Sequence, residues 1–390
     1  MLMLVLALLS GAFMLSTLLT LVVRSLGRRL LLLDSAGVIG QHKLRRTVPN
    51  IGGVAVFWTI ALPIAAGLLA AHFAAESITA FDPELAQHLP GIRDQTQLAL
   101  CILITLLTLH ILGLVDDRRP LGPLLKFAVM IAAAAAPVLL FDARLLTLLD
   151  ALPAGRALSA ALTILWLVAV TNAMNFMDNM DGLCAGVGAV AGAFCLAAAI
   201  LSGQWFVAMF LAILVGALLG FLVFNAPRPG GAGIFLGDGG SLIVGFLLAF
   251  LTVRTTYIAP PAAPAASLAP PSLDTPGVYA FFMPLCFLAI PLYDMTSVIL
   301  IRLAQGRSPM VGDRQHFSHR LLAAGLSVPR ALAVLSGCTA ITGVSGLMLA
   351  FASGWQALLI AAQVALVLLV IALYEHGKGW PFDAAPERAP

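Results

Sequence analysis

Residues 160–183 read AALTILWLVAVTNAMNFMDNMDGL. An apolar run up to Val170 is followed by Asn172, Asn175, Asp178 and Asp181, one polar residue at every third position. Residues three apart share one helix face. The spacing therefore predicts a membrane helix whose end carries two carboxamides and two carboxylates as one stripe at the bilayer edge. An ionised Asp at the centre of such a helix costs roughly 2.5–3.5 kcal/mol even on the mildest scale, so groups of this kind have a use or a partner. The bland alternative is a capped helix end, with Asn and Asp satisfying orphan backbone groups before Gly182 lets the chain turn. Four polar residues in register weigh against it.

The rest of the chain extends the membrane reading. Of 390 residues, 61% are hydrophobic and only 10% charged, against about a quarter charged in soluble proteins. The expected fold is all-α, a polytopic integral membrane protein. A net charge of +3 is too small to argue for nucleic acid. The five cysteines, Cys101, Cys184, Cys195, Cys286 and Cys338, fall in or beside apolar segments without a C-x-x-C pair, so they read as small packed hydrophobes.

A span takes about 20 mostly apolar residues, and about 11 transmembrane helices are expected: near 2–23, 51–74, 96–115, 123–141, 157–174, 183–201, 205–224, 241–258, 277–301, 331–352 and 355–374. They form a single transmembrane domain, residues 1–374, followed by a tail, 375–390. The first segment, Leu2 to Val23, has no basic region ahead of it and exceeds a signal core, which makes it a retained anchor. Seventeen of the 21 Lys and Arg residues lie in one set of alternate connections and the tail, and only Arg93, Arg144, Arg156 and Arg254 in the other. By the positive-inside rule the N-terminus is outside and the C-terminus cytoplasmic. Asp116, Asp117, Asp178, Asp181, Asp238 and Asp313 then all face the cytoplasm, while the outer connections, including the Ala/Pro-rich 260–276, carry no recognisable chemistry.

Four further stretches share that side. Asp34 to Gly53 holds His42, Lys43, Arg45 and Arg46, which either obey the topology rule and touch head groups or bind an anionic substrate. The third span ends in Asp116-Asp117-Arg118-Arg119; adjacent carboxylates repel, and either a divalent cation or the two arginines would hold them ionised. Asn225 to Ser241 is glycine-rich and runs into a helix through Phe235-Leu-Gly-Asp238-Gly-Gly. Glycines admit close backbone approach and a helix start offers free N–H groups to phosphate, although Asp-Gly before a helix is also an ordinary turn. Asp238 would need a cation between itself and a phosphate, and Phe235 is either packing or a stacking face for a base. Ser308 to Leu321 supplies Arg314, His316, His319 and Arg320, groups suited to phosphate oxygens; two His without a third soft ligand do not make a zinc site. Asp294, late in the ninth span, is left unassigned, a structural partnership with an Asn or Arg being one reading.

Taken in order, His42 to Gly53, Gly113 to Asp117, Asn172 to Leu183, Phe235 to Ser241 and Asp313 to Leu321 resemble the polyprenyl-phosphate N-acetylhexosamine-1-phosphate transferases. These enzymes start peptidoglycan, teichoic acid, enterobacterial common antigen and O-antigen synthesis. The run from Asp313 is similar to the branch acting on UDP-N-acetylglucosamine, with one departure: the usual His-x-His-His is His316-Phe317-Ser318-His319 here. The resemblance implies a transferase of the bacterial plasma (inner) membrane, its site facing the cytoplasm, that moves a sugar 1-phosphate from a UDP-sugar to undecaprenyl phosphate and releases UMP. It implies a Mg²⁺ requirement, with Mn²⁺ as a substitute, and partners that are the UDP-sugar, undecaprenyl phosphate, membrane lipid and, as an option, a second copy in a homodimer. Carried over by position, Asp238 is the leading metal ligand with Asn175 as helper. Asn172, Asp178 and Phe235 lie near the nucleotide, supported by Asp181, and Asp116 and Asp117 lie where the lipid phosphate meets the diphosphate. Lys43, Arg314, His316 and His319 hold phosphates or the sugar. The rival from another class is a transporter or flippase of a phosphorylated solute or lipid; transporters place polar sites near the midplane on broken helices, and Asp294 is the residue that would serve one.

Overall fold

The computed structural model describes residues 1–30, 48–81, 83–255, 282–310 and 315–376. The described chain is helical, in the order α1 (Leu2–Arg29), α2 (Gly52–Phe73), α3 (Ala75–Phe81), α4 (Pro83–Ala86), α5 (Leu89–Asp94), α6 (Thr96–Arg118), α7 (Pro123–Phe141), a 3₁₀ turn (Thr147–Ala151), α8 (Gly155–Phe176), α9 (Leu183–Leu201), α10 (Trp205–Asn225), α11 (Asp238–Thr255), α12 (Met283–Phe287), α13 (Ala289–Ala304), α14 (Phe317–Ala323), α15 (Val328–Met348) and α16 (Gly354–His376). Ten of these helices are long and apolar enough to cross a membrane, and the protein is a polytopic membrane protein.

Among the described residues ten of the expected spans are unbroken helices, and the ninth, 277–301, is broken. It is divided at Leu288 into α12 and α13. Pro291 has no N–H to give the Phe287 carbonyl, and its ring clashes there, so the helix restarts just before it. The connection between α2 and α6, bland in sequence, folds into the three short helices α3 to α5.

The helix directions sort the charges. Arg93, Arg144, Arg156 and Arg254 lie at one end of the bundle, and Arg24, Arg28, Arg118, Arg119, Lys126, Arg228, Arg302, Arg320 and Arg330 at or near the other. The second end also carries Asp116, Asp117, Asp178, Asp181 and Asp238; Asp313 lies outside the described residues.

The centre is α11, almost wholly buried and packed against α2, α6, α8, α9 and α10. Lipid tails are as apolar as Leu, so membrane helices associate through close packing and interhelical hydrogen bonds. The α1–α10 pair does both: a Cβ on Gly216 or Gly220 would stand 2.3 Å from the carbonyl oxygen of Leu9 or Phe13, and Ser16 Oγ donates to the Ala217 carbonyl at 2.6 Å. Outward positions such as Met14, Leu18, Leu165, Leu358 and Leu369 are exposed and apolar, a surface made for lipid. The outermost helix, α16, is anchored by a polar contact near its C-terminal end: Arg320 Nε donates to Glu375 Oε1 at 2.7 Å and Tyr293 Oη to Glu375 Oε2 at 2.7 Å.

Candidate active site

The polar residues meet where α6 and α8 end and α7 and α11 begin. The predicted four-residue helical stripe divides there. Helix α8 stops at Phe176, leaving Asn172 and Asn175 on the helix and Asp178 and Asp181 in the turn after it. Asp178 N–H bonds the Asn175 carbonyl at 3.2 Å, a tighter, three-residue closure. Asn and Asp offer the backbone local alternatives to helix, and Gly182, at φ 76°, completes the break. The stripe is thus half helix and half turn, and the side chain that caps a carbonyl at the end of α8 is Asn179, outside the stripe, whose Nδ2 donates to the Phe176 carbonyl at 2.6 Å.

The turn is used for docking. Asp181 Oδ2 accepts the Ala232 N–H at 2.8 Å. Asn225 Oδ1 accepts the Gly182 N–H at 3.1 Å, and its Nδ2 donates to the Ile234 carbonyl at 2.9 Å. These bonds hold the glycine-rich loop against the end of α8. On its other side the loop pairs with the segment leading into α2: Phe235 N–H to Pro49 O at 2.9 Å, Gly52 N–H to Phe235 O at 2.9 Å, and Gly53 N–H to Leu236 O at 2.8 Å. The loop's last residue, Gly237, has φ 70°, and a Cβ there would stand 2.6 Å from Asp117 Oδ2. Only glycine meets both conditions at that corner.

Asp238 opens α11 instead of preceding it, and it faces a cluster built from three other helices. Lys126, in the first turn of α7, donates from Nζ to Asp116 Oδ2 at 2.9 Å, to Asn175 Oδ1 at 3.5 Å and, in a short ion pair, to Asp238 Oδ2. Asn175 Nδ2 donates to Asp238 Oδ1 at 2.9 Å and to Ser241 Oγ at 2.8 Å. The Leu121 N–H closes on Asp116 Oδ1 at 2.7 Å. Beside them Asp117 accepts Asn50 Nδ2 at 3.1 Å and the Gly239 N–H at 3.4 Å.

Asp116, Asp117, Asn175 and Asp238 are therefore brought together. Lys126, Asn50 and Ser241 complete the cluster and were not singled out from sequence. The available signal was a lone Lys just after the Asp-Asp-Arg-Arg turn, at the start of the next span. Arg118 and Arg119, one of the two expected ways of holding the carboxylate pair, are exposed; Lys126 and Asn50 bond the pair instead.

The remaining candidates stand around this centre. Asn172 donates to the Val168 carbonyl at 2.9 Å, one turn up its own helix. Phe235 is half-buried in the loop. His316 is buried, its Nδ1 2.9 Å from Asp294 Oδ2, and Asp294 Oδ1 also accepts the Phe317 N–H at 2.5 Å. The partner of Asp294 is thus a histidine and a backbone amide, not an Asn or Arg. His316 meets the Phe176 ring edge-on at 5.3 Å, and His319 lies 6.3 Å from it. Ser318 donates to Asn179 Oδ1 in the α8–α9 turn, joining the histidine segment to the stripe. Lys43 and Arg314 lie outside the described residues.

Among the described residues no three His, Cys, Asp or Glu side chains stand close enough to hold a metal ion by themselves. Mg²⁺ is ordinarily bound by one or two carboxylates together with substrate phosphates and waters. The hard oxygens of Asp238, Asn175 and Asp116, converging on one ammonium, fit that pattern. Two carboxylates on a single ammonium, with the Asp117 carboxyl beside them, repel an anionic substrate unless a further cation comes with it.

Comparison with known proteins agrees with the geometry. The profile described as Glycosyl transferase family 4 matches residues 99–256, the segment holding Asp116, Asp117, Lys126, Asn175 and Asp238. A probable undecaprenyl-phosphate N-acetylglucosaminyl 1-phosphate transferase of Bacillus subtilis is 26% identical over 371 residues, covering 93% of this chain and 90% of its own. A decaprenyl-phosphate N-acetylglucosaminephosphotransferase of Mycolicibacterium smegmatis is 32% identical over 288 residues, covering 68% of each chain. The undecaprenyl-phosphate alpha-N-acetylglucosaminyl 1-phosphate transferase of Escherichia coli K12 is 27% identical over 55% of this chain and 53% of its own. With a rim of carboxylates, carboxamides and one lysine built from the matched segment, and relatives of this kind along most of its length, the chain belongs to glycosyl transferase family 4, the polyprenyl-phosphate N-acetylhexosamine-1-phosphate transferases.

Proposed function

We propose that the protein transfers N-acetylglucosamine 1-phosphate from UDP-N-acetylglucosamine to undecaprenyl phosphate, releasing UMP. The observation that carries this reading is the convergence of Asp116, Asp238 and Asn175 on Lys126, with Asp117 alongside, at one rim of a membrane bundle. The names of the relatives support the lipid acceptor and the sugar. A site at the rim suits an acceptor whose phosphate lies at the membrane surface and a donor that arrives from water. The excess of basic residues at that end supports a cytoplasmic site and, with it, an outward N-terminus.

The reaction is an in-line displacement. An oxygen of the lipid phosphate forms a bond to the sugar-linked β-phosphorus, and the bond from that phosphorus to the bridging oxygen breaks, so UMP leaves with the electron pair. Such a transfer asks the protein mainly for positioning and charge stabilisation. Lys126 supplies a fixed positive charge for the diphosphate. Asp117, held by Asn50 and Gly239, orients the lipid phosphate and takes its last proton; a phosphomonoester with a second pKa of about 6 is mostly dianionic at neutral pH, so no strong base is required. His316, fixed by Asp294, and His319 are the groups that would hold phosphate oxygens or the sugar. Mg²⁺, held by Asp238 and Asn175, would neutralise charge on the diphosphate.

The transporter reading loses its main residue, because Asp294 is spent on His316 and the Phe317 amide. The test is UMP release and lipid product formation by the purified protein, given undecaprenyl phosphate and a panel of UDP-sugars. UMP formed with UDP-N-acetylglucosamine in preference to the others is the expected result. No UMP with any of them would overturn the proposal.

A further inference from the structure

Helix α6 touches the start of α11 at more than its acidic end. His110, seven residues before Asp117 on the same helix, is 5% exposed. Its ring stacks flat on Phe57 of α2, centroids 4.7 Å apart and planes at 4°, and its Nδ1 lies 2.7 Å from the Gly239 carbonyl. A carbonyl oxygen only accepts, so Nδ1 carries the proton and the tautomer is determined by the contact. Three residues on, a Cβ at Gly113 would stand 2.3 Å from Gly239 N. At Asp117 the same face accepts the Gly239 N–H. Positions i, i+3 and i+7 share one face of a helix, so a single stripe of α6 grips one residue of α11 by its carbonyl, its flank and its amide. That residue follows Asp238.

We infer that His110 is a positioning residue: its bond to Gly239 sets the depth of the first turn of α11, and so where the Asp238 carboxylate stands relative to Asp116 and Lys126. A polar ring in an apolar interior needs a partner, but it need not have chosen this one. Packing alone would be served by Phe, which keeps the stack on Phe57. The inference rests on the proposed role of Asp238, and its test separates the two.

Three variants of the full chain divide the hydrogen bond from the packing. In His110→Asn the amide nitrogen takes the place of Nδ1; in His110→Gln it takes that of Nε2; His110→Phe keeps the ring and loses the donor. Two readouts are taken: hydrogen exchange of the backbone amides of residues 237–245 in purified protein, and kcat and KM for UDP-N-acetylglucosamine. A hydrogen bond of ordinary strength predicts exchange about fivefold faster in the Gln and Phe variants, with kcat reduced and KM within about twofold, and both readouts near wild type in the Asn variant. Wild-type exchange in the Gln and Phe variants, or an Asn variant as impaired as Phe, would overturn the inference. The exchange readout needs neither substrate nor metal, so it decides the clamp even where the wild type turns over no UDP-sugar, the result that would instead remove the proposed activity.

Discussion

The ammonium of Lys126 lies 2.9 Å from Oδ2 of Asp116, across the short turn that joins two spanning helices. The same nitrogen reaches Asp238 and Asn175, so one cation at the start of α7 ties α6, α8 and α11 together. Replacing it with Met leaves Asp116 and Asp238 facing each other without a counterion. Lys126→Met is expected to lower kcat about 100-fold or more, the scale of losing one well-placed group for developing charge, with Lys126→Arg recovering part of it. Purified Lys126→Met releasing UMP at within about threefold of the wild-type rate would contradict the assignment.

Asp238→Asn is expected to abolish turnover while leaving folding and membrane insertion intact, because the carboxamide keeps the shape of the side chain and loses the charge. Activity across a Mg²⁺ titration checks it, alongside size-exclusion behaviour in detergent. Near-normal Mg²⁺-dependent turnover by a well-folded variant would mean that Asp238 does not hold the metal.

Ser318, the departure from the His-x-His-His pattern that the resemblance implies, is buried and bonded to Asn179. Ser318→Ala is expected to cost about 1 kcal/mol through the unpaired Asn179 oxygen. Ser318→His is expected to overpack the site at a cost of about 1–3 kcal/mol. Thermal melts of both in one detergent are the measurement. A His variant as stable as wild type would show that the pocket admits either residue.

At the opposite end of the bundle Arg144 is buried between two carboxylates, with Nε 2.7 Å from Asp142 and Nη1 2.7 Å from Asp150. Hydrogen bonds from Arg144 are the first cause holding both carboxyls below their usual range, and those carboxylates in turn raise the Arg144 guanidinium. A depressed carboxyl contributes stability above its unfolded pKa and loses it as pH falls through the folded one. Arg144→Met should therefore melt below wild type at pH 7, with the gap narrowing as pH drops below about 4. A pH-independent gap would show that packing, not charge, makes the difference.

The spans were legible because each is a local property: an apolar run of sufficient length needs no knowledge of its neighbours to be read. The ninth was misjudged only in its continuity, since Pro291 acts on the backbone of α13 and leaves hydrophobicity unchanged. The acids were legible because charge beside a membrane is rare enough to stand out. Lys126 was not, because a lysine at the start of a span is what the positive-inside rule would put there anyway. Asn50, Asn225 and Ser241 carry no such rarity, and their partners lie 67, 9 and 66 residues away.

By itself the sequence determined an all-helical membrane protein with its polar residues in a few separated stretches, and their order was enough to point to a family. Which of those residues meet was decided only by the tertiary structure. Asp116 takes Lys126 over the neighbouring arginines, Asp294 takes His316, and Gly239 is held by His110 and Asp117 together. The physical reason is that a hydrogen bond depends on distance in space and on direction. In a bundle of long helices both are set by side-to-side packing at glycine contacts such as Gly113 on Gly239.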